Sequence, residues 1–491
     1  MNDAFFEIAE ARQKGLDPSE AARRHVLILG GGFSGTCAAI HLLRQRERAV
    51  EIVLIEPAPQ LGGGLAHSSA DPDHRLNAPV SVHVVIPDVP DHLEAWLKAE
   101  GRTKRDAESV YDGVLYPRRS DFGAYMRAQL AHAEQGSISI FRHVQGRALG
   151  IESTSGKYRV SLASGAHLEA HACIVATGHE RPLPPAFISP SAATSPRYFN
   201  DPWDLSASGA IDRHWDVLLI GTALTAADVV ATLSRRGHVG SITAISRHGY
   251  HPAGQNPSRS SRSLWEAVND PLPEFVVRHG KPARVSEIMR VLRANIAEQA
   301  SQGRTWHSAF DEVRNAARHL WSALPTQERL RFQRHLRACY DPHRFRIPPQ
   351  TERIVSDRLA RGQLTFVAGR ISSIDTMGTA LEVAYRERNA PQTIRRRFDA
   401  VINCTGPETD VRRSRNPLLQ SLLNTDLACE GEAGIGVAVD NKCQALDKNA
   451  QPVPRLYFIG PLTRGLFGET PAVPLITWEV LTLLPHLLAH S

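Results

Sequence analysis

The chain has 491 residues, enough for about three domains of roughly 150 residues or for two large ones with an insertion. Hydrophobic residues make up 42% and charged ones 22%, with 35 Gly and 32 Pro, which excludes collagen-like, coiled-coil and disordered classes. The net charge of +6 equals the surplus of 13 Arg over 7 acids between residues 284 and 353; with no nucleic-acid motif beside it, this stretch reads as a solvated helical face, or as an anion-facing surface near bound phosphates.

Met1–Glu10 carries acids where a secretory signal needs a basic start, so a cytoplasmic protein is expected. The six Cys, at 37, 173, 339, 404, 429 and 443, form no C-x-x-C pair and no metal-ligand spacing. A reduced, metal-free protein without a redox-active dithiol is expected.

The run Val26–Leu29 enters Gly30-x-Gly32-x-x-Gly35 and then the helical stretch 36–46, the pattern of a buried parallel strand, a tight turn and a helix. Gly30 allows the turn, Gly32 lets backbone approach a pyrophosphate and Gly35 permits close helix packing, with Phe33 and Ser34 at the phosphate-facing helix start. The next apolar run, Ile52–Ile55, ends at Glu56, where an acid holding ribose hydroxyls belongs.

The pattern recurs as Val217–Ile220, Gly221-Thr222-Ala223-Leu224-Thr225-Ala226, a helix over 227–235 and a strand over 242–246 ending at Arg247. Gly30 to Glu56 and Gly221 to Arg247 are both 26 positions, so one equivalent strand end is acidic and the other basic. An acid suits a free 2′-hydroxyl and Arg a 2′-phosphate, which predicts FAD in the first site and NADPH in the second. Ala223 replaces the second glycine, and its methyl stands where a pyrophosphate would approach.

A further echo lies in the apolar strands ending at Thr177-Gly178 and Thr405-Gly406. Between the repeats, 285–339 reads as two or three helices with Trp306, Phe310, Trp321 and Phe332 in their core, and Tyr340–Pro348 as a proline-bounded loop rich in His and Arg. The last apolar stretch, 475–490, is interrupted by Glu479 and Pro485 and reads as a packed helix, too short to span a bilayer.

With its paired Thr-Gly strand ends, the chain resembles the flavoproteins with two dinucleotide-binding domains, which include flavin-containing and N-hydroxylating monooxygenases. More narrowly it is similar to the bacterial FAD/NAD(P)-binding proteins through Gly62–Ser68, Asp71–Pro79, Tyr116–Gly123 and Gly460–Gly465 leading to Glu469. The resemblance implies that Gly64, His67, Asn77 and Arg118 lie along FAD, that Thr177, Gly178, Thr405 and Gly406 close the two sites, and that Gly460, Pro461 and Glu469 bring a turn and helix start to the flavin. Many relatives have Gly-Asp where this chain has Gly460-Pro461, so the usual ribityl contact is missing, and the Baeyer–Villiger fingerprint is absent.

The fold expected is α/β, two Rossmann-like dinucleotide-binding domains, the second inserted in the first, with a helical insertion. The boundaries read from sequence are 24–210 and 364–491 for the FAD domain and 211–363 for the NADP domain, its helical insertion at about 284–350. No catalytic side chain stands out; His67, His74 and His179 are the histidines nearest the predicted turns. The expected activity is NADPH-dependent oxygenation of a nitrogen or sulfur of a small-molecule substrate through a peroxyflavin, with molecular oxygen as co-substrate and neither nucleic acid nor membrane as partner. An NAD(P)H-linked flavin reductase or dehydrogenase shares every motif, and a non-catalytic nucleotide-binding protein fits Ala223 and Pro461. Nothing in the sequence specifies the oligomeric state.

Overall fold

The computed structural model of the chain describes residues 24–204, 211–256, 264–468 and 472–489. Its first elements are β1 (Arg24–Leu29), α1 (Phe33–Arg44), β2 (Val50–Ile55), α2 (Arg119–Gln135), β3 (Ile140–Val144) and β4 (Ala172–Val175). The apolar stretches of β1, β2 and β4 are buried between α1, which seats on them, and a three-stranded antiparallel sheet within residues 148–170, whose Ile151, Val160 and Leu162 join the same core.

The chain then forms β5 (Tyr198–Phe199), β6 (Val217–Ile220), α3 (Leu224–Arg235) and β7 (Ile242–Ser246). A helical region follows, with α4 (Val285–Ser301), α5 (His307–Ala323) and α6 (Arg337–Arg344) as its main members. The chain returns through β8 (Leu364–Met377), β9 (Ala380–Glu387), β10 (Ile394–Phe398) and β11 (Ala400–Asn403), and ends with β12 (Gln444–Leu446), β13 (Pro452–Phe458) and α7 (Val473–Leu488).

Two large sheets result. The first has the order β12-β13-β4-β1-β2-β3 and the second β5-β11-β6-β7-β8-β9-β10. The second unit is inserted in the first, since β13 pairs in parallel with β4 across the whole intervening chain. The inserted span is longer than the sequence boundaries allow. β8 pairs in parallel with β7 and β11 with β6, so residues 364–403 build the second sheet and the first unit resumes only beyond Asn403. The correction has a simple cause: each unit carries one Thr-Gly strand beside its glycine strand, β4 next to β1 and β11 next to β6, so the echo marks two units rather than two flanks of one.

The helical insertion has the expected core. Phe310 is buried, and Trp306, Trp321 and Phe332 pack against the same cluster. The expected loop at 340–348 is instead helical through Arg344 despite Pro342. His343 stacks on Phe310 and Tyr340 packs against it at a tilt, and buried Arg346 pairs with Asp311 at 3.0 Å, so this His-Arg segment is fixed by packing.

Candidate functional site: two glycine turns on facing units

At the first turn Gly30 has φ +109° and donates its N–H to Ile55 O at 2.9 Å; a Cβ there would lie 2.5 Å from Ala176 O. A Cβ on Gly35 would lie 1.8 Å from Gly30 O, which explains the close seating of α1 on β1. The start of α1 has no side-chain cap and no acid in its first turn, leaving its N–H groups and positive dipole end open to an anion. Gly32 faces Gly64: a Cβ on Gly32 would sit 3.3 Å from Gly64 Cα, so a side chain on either narrows the gap.

Three further segments converge on this helix start. The turn at Gly460, φ +82°, comes so near Ser34 that a Cβ there would lie 2.5 Å from Ser34 Oγ. Thr177 follows β4, and its buried Oγ1 has no hydrogen-bond partner among the described residues. Gly178, His179, Pro461 and Leu462 line one cleft of about 340 Å³. The ring of His67 packs against Phe122 at 4.6 Å and faces Phe33 at 6.2 Å, and its buried Nδ1 is likewise unpartnered. Glu56 accepts N–H bonds from Gly31 at 2.8 Å and Ala58 at 3.0 Å, which fixes its carboxylate at the end of β2. Gly31, absent from the sequence-derived set, is sterically required too, since a Cβ there would lie 2.5 Å from Leu61 Cδ2.

The second turn repeats the first. Gly221 has φ +112° and donates to Ile245 O at 2.8 Å, and a Cβ there would lie 2.6 Å from Cys404 O. Ala223 has φ −86° and ψ −161°, against −68° and −163° for Gly32, so its backbone needs no glycine. The start of α3, with Leu224 and Thr225, again carries no cap and no acid. Thr222 Oγ1 donates to Tyr250 O and lies 2.9 Å from Ser246 Oγ, tying the turn to β7. Arg247 is exposed and makes no ion pair or hydrogen bond among the described residues. Thr405 donates to Asn403 Oδ1 at 2.7 Å, and Gly406 stands in open space.

The 71–79 segment reaches from the first unit to the second. Asp71 accepts from Thr232 Oγ1 at 2.8 Å and from Arg235 Nη2 at 2.7 Å, and His74 Nε2 lies 3.0 Å from Thr232 Oγ1, all on α3 of the second unit. Arg119 forms a buried two-pronged pair with Asp228 of α3, at 2.8 and 3.1 Å, and also donates to Asn77 Oδ1 at 3.1 Å. These groups clamp one unit to the other. Arg118 is ion-paired with Asp106 at 3.0 Å.

Burial sets the titration of the site. His67 is pushed down to about 3 and His179 to about 4, first by desolvation and then by Arg119 and Arg464 respectively, so both are neutral at physiological pH. Glu479, on α7 and 1% exposed, is pushed up to about 8 by burial. Its Oε2 accepts from Gly460 N at 2.7 Å, and its Oε1 lies 2.6 Å from Thr463 Oγ1, which donates to Gly460 O at 2.8 Å. A hydroxyl has one proton, so the protonated carboxyl supplies the other bond and the turn is closed by a neutral acid. The sequence signal was a lone acid in an apolar helix. All six cysteines are unpaired, and burial raises the thiols of Cys37, Cys173, Cys404 and Cys443. Glu469 lies outside the described residues. Among those described, no group of His, Cys, Asp and Glu is arranged to hold a metal, and no helix is long and apolar enough to cross a membrane.

The fold and its paired glycine turns define a protein with two dinucleotide-binding domains. Residues 27–180 match the family model described as FAD-NAD(P)-binding. No curated protein matches the sequence. Among solved structures the chain is similar to the ornithine N-hydroxylase of Kutzneria sp. 744, with TM-score 0.64 and 14% identity over 95% of this chain and 99% of that one. It is similar also to the cadaverine monooxygenase of Erwinia amylovora, solved with FAD (0.63; 14%; 96% and 95%), and to the L-lysine 6-monooxygenase of Pseudomonas syringae (0.59; 17%; 95% and 99%).

Proposed function

We propose that the chain is an NADPH-dependent FAD monooxygenase that oxygenates a nitrogen or sulfur of a small molecule. The observation that carries the FAD and NADPH part of this reading is the duplicated turn with Glu56 at one strand end and Arg247 at the other, on two units clamped together. The likeness to hydroxylases whose structures hold FAD, and in the Kutzneria case also NADP+, supports the same reading.

The residues fit FAD in the first site. The uncapped start of α1 and the Gly32–Gly64 gap suit a pyrophosphate, and the buried, unpartnered Thr177 Oγ1 and His67 Nδ1 are polar atoms whose burial costs free energy unless a ligand bonds them. FAD, when bound, supplies hydride acceptance and oxygen chemistry that no side chain here provides. The protein's part is positional. Glu56 accepts from the ribose hydroxyls, and Glu479 with Thr463 holds the Gly460 turn against the start of α1. Arg247 pairs with the 2′-phosphate of NADPH beside the start of α3, and Asp71, Asp228 and Arg235 keep that helix oriented toward the first unit.

Overall, substrate, O2, NADPH and a proton give oxygenated substrate, water and NADP+. The test is turnover under labelled oxygen with FAD-loaded protein: one labelled oxygen atom in product for each NADPH consumed is expected. NADPH oxidation that passes electrons to another acceptor, with unlabelled product, would overturn the reading.

A further inference from the structure

Between the helical insertion and the 432–468 segment of the first unit lies an open cavity of about 890 Å³, part of it solvent at the mouth. Ile288 and Leu292 of α4 and Leu320 and Trp321 of α5 form its apolar walls with Phe332. Across from them stand Ile435, Arg464 and Gly468, and Arg464 directly follows the Gly460–Thr463 turn.

Two features mark the cavity as built. The chain at Phe332–Leu336 is a π-helix, a rare widened turn frequent at functional sites, and it sets Phe332 and Gln333 on the cavity wall. The helical wall is also fastened to the far side. Trp321 Nε1 donates to Gly465 O at 2.9 Å, and buried Arg329 donates to Glu432 at 2.7 Å and to the same carbonyl at 3.3 Å.

The polar groups decide what fits. Among the described lining residues Asp341 is the one carboxylate, and Arg337 holds it at 3.1 Å. Arg464 also lines the cavity. Among the described lining residues an ammonium group would find no carboxylate outside the Arg337–Asp341 pair, and an unpaired charge in an apolar site is strongly disfavoured. An apolar body loses nothing by leaving water.

We propose that this cavity is the substrate site and takes an uncharged, predominantly apolar molecule carrying the nucleophilic nitrogen or sulfur, such as an aryl thioether, and not a cationic amino acid or diamine. The assignment of the cavity as substrate site rests on the monooxygenase reading; the binding preference does not. For a thioether the sulfur lone pair forms the S–O bond to one atom of O2 and the O–O bond breaks. The other oxygen leaves as water, with two electrons and one hydrogen from NADPH and the second hydrogen as a solvent proton.

The test is calorimetric titration of the FAD-loaded full chain with methyl phenyl sulfide and with cadaverine, without NADPH. It is repeated on Ala317→Phe and Met289→Phe, two substitutions that fill the cavity from different helices. Saturable sulfide binding, weakened about tenfold or more in each folded variant, and no cadaverine binding are expected. Flavin content and the unfolding midpoint establish that a variant is folded. Cadaverine binding without sulfide binding, or sulfide binding untouched by both substitutions, would overturn the proposal. Sulfide binding in the cavity without sulfoxide formation under NADPH and oxygen would leave the binding preference standing and overturn the oxygenation.

Discussion

Gly30 and Gly221 turn at φ +109° and +112°, each donates to the end of the neighbouring strand, and each lies against a carbonyl of the strand on its other side. The side chains around these matched backbones diverge. Thr177 keeps its hydroxyl free while Thr405 spends its own on Asn403, Gly32 becomes Ala223, and the fixed carboxylate of Glu56 becomes the exposed guanidinium of Arg247. The contrast teaches that sheet geometry dictates the turn, whereas on the proposed reading a handful of side chains decides which nucleotide it serves. The first site is closed on several sides by Ser34, Gly64 and Gly460. That suits a resident cofactor, and the open Arg247 suits a ligand that comes and goes.

The largest effect is expected at the point where the units differ by one methyl. Gly32→Val should abolish flavin content, measured by absorbance of the purified protein, because the side chain intrudes between α1 and Gly64. Retention of normal flavin would break the assignment of the first site. Asp228→Ala strands the buried guanidinium of Arg119 and should destabilise the protein by about 3 kcal/mol or more, read as a lower denaturation midpoint. An unchanged midpoint would mean that the clamp between units carries no stability.

Arg247→Ala should weaken NADPH about tenfold or more while leaving NADH nearly unaffected, measured by titration of the FAD-loaded protein. Equal losses for both nucleotides would remove the 2′-phosphate assignment. The smallest effect concerns pH and is confined to the first unit. Glu479 titrates at about 8 in the folded chain against a usual 4.5, so the folded state binds the extra proton. Stability from this group is therefore fully present below about 4.5 and is lost as pH rises through about 8. Glu479→Gln, which keeps a neutral group in place, should flatten that decline in denaturant titrations between these pH values. A parallel pH profile in both proteins would show that Glu479 is already charged.

The glycine turns and their strand-end charges were legible in the sequence because the glycine and the charged strand end lie only 26 positions apart and are set by local backbone constraints. Long-range partners were not. Asp228 lies 109 residues from Arg119 and Thr232 161 from Asp71, and no local spacing records either pair. The strand over 364–377 was given to the first domain because a parallel strand reads alike in either sheet, and only pairing with Ile242–Ser246 decides it. Pro342 made a helix read as a loop, where packing of Tyr340 and His343 on Phe310 outweighs the missing donor. The cavity is equally nonlocal, since its walls come from α4, α5, the π-helical turn and the 435–468 segment.

The division of labour between the two turns is tested most directly by anaerobic rapid mixing of the FAD-loaded protein with NADPH, following the visible flavin absorbance. Stoichiometric flavin bleached by NADPH, and far more slowly by NADPH in Arg247→Ala, is the predicted result. Flavin that stays oxidised in the wild type at saturating NADPH would contradict the account.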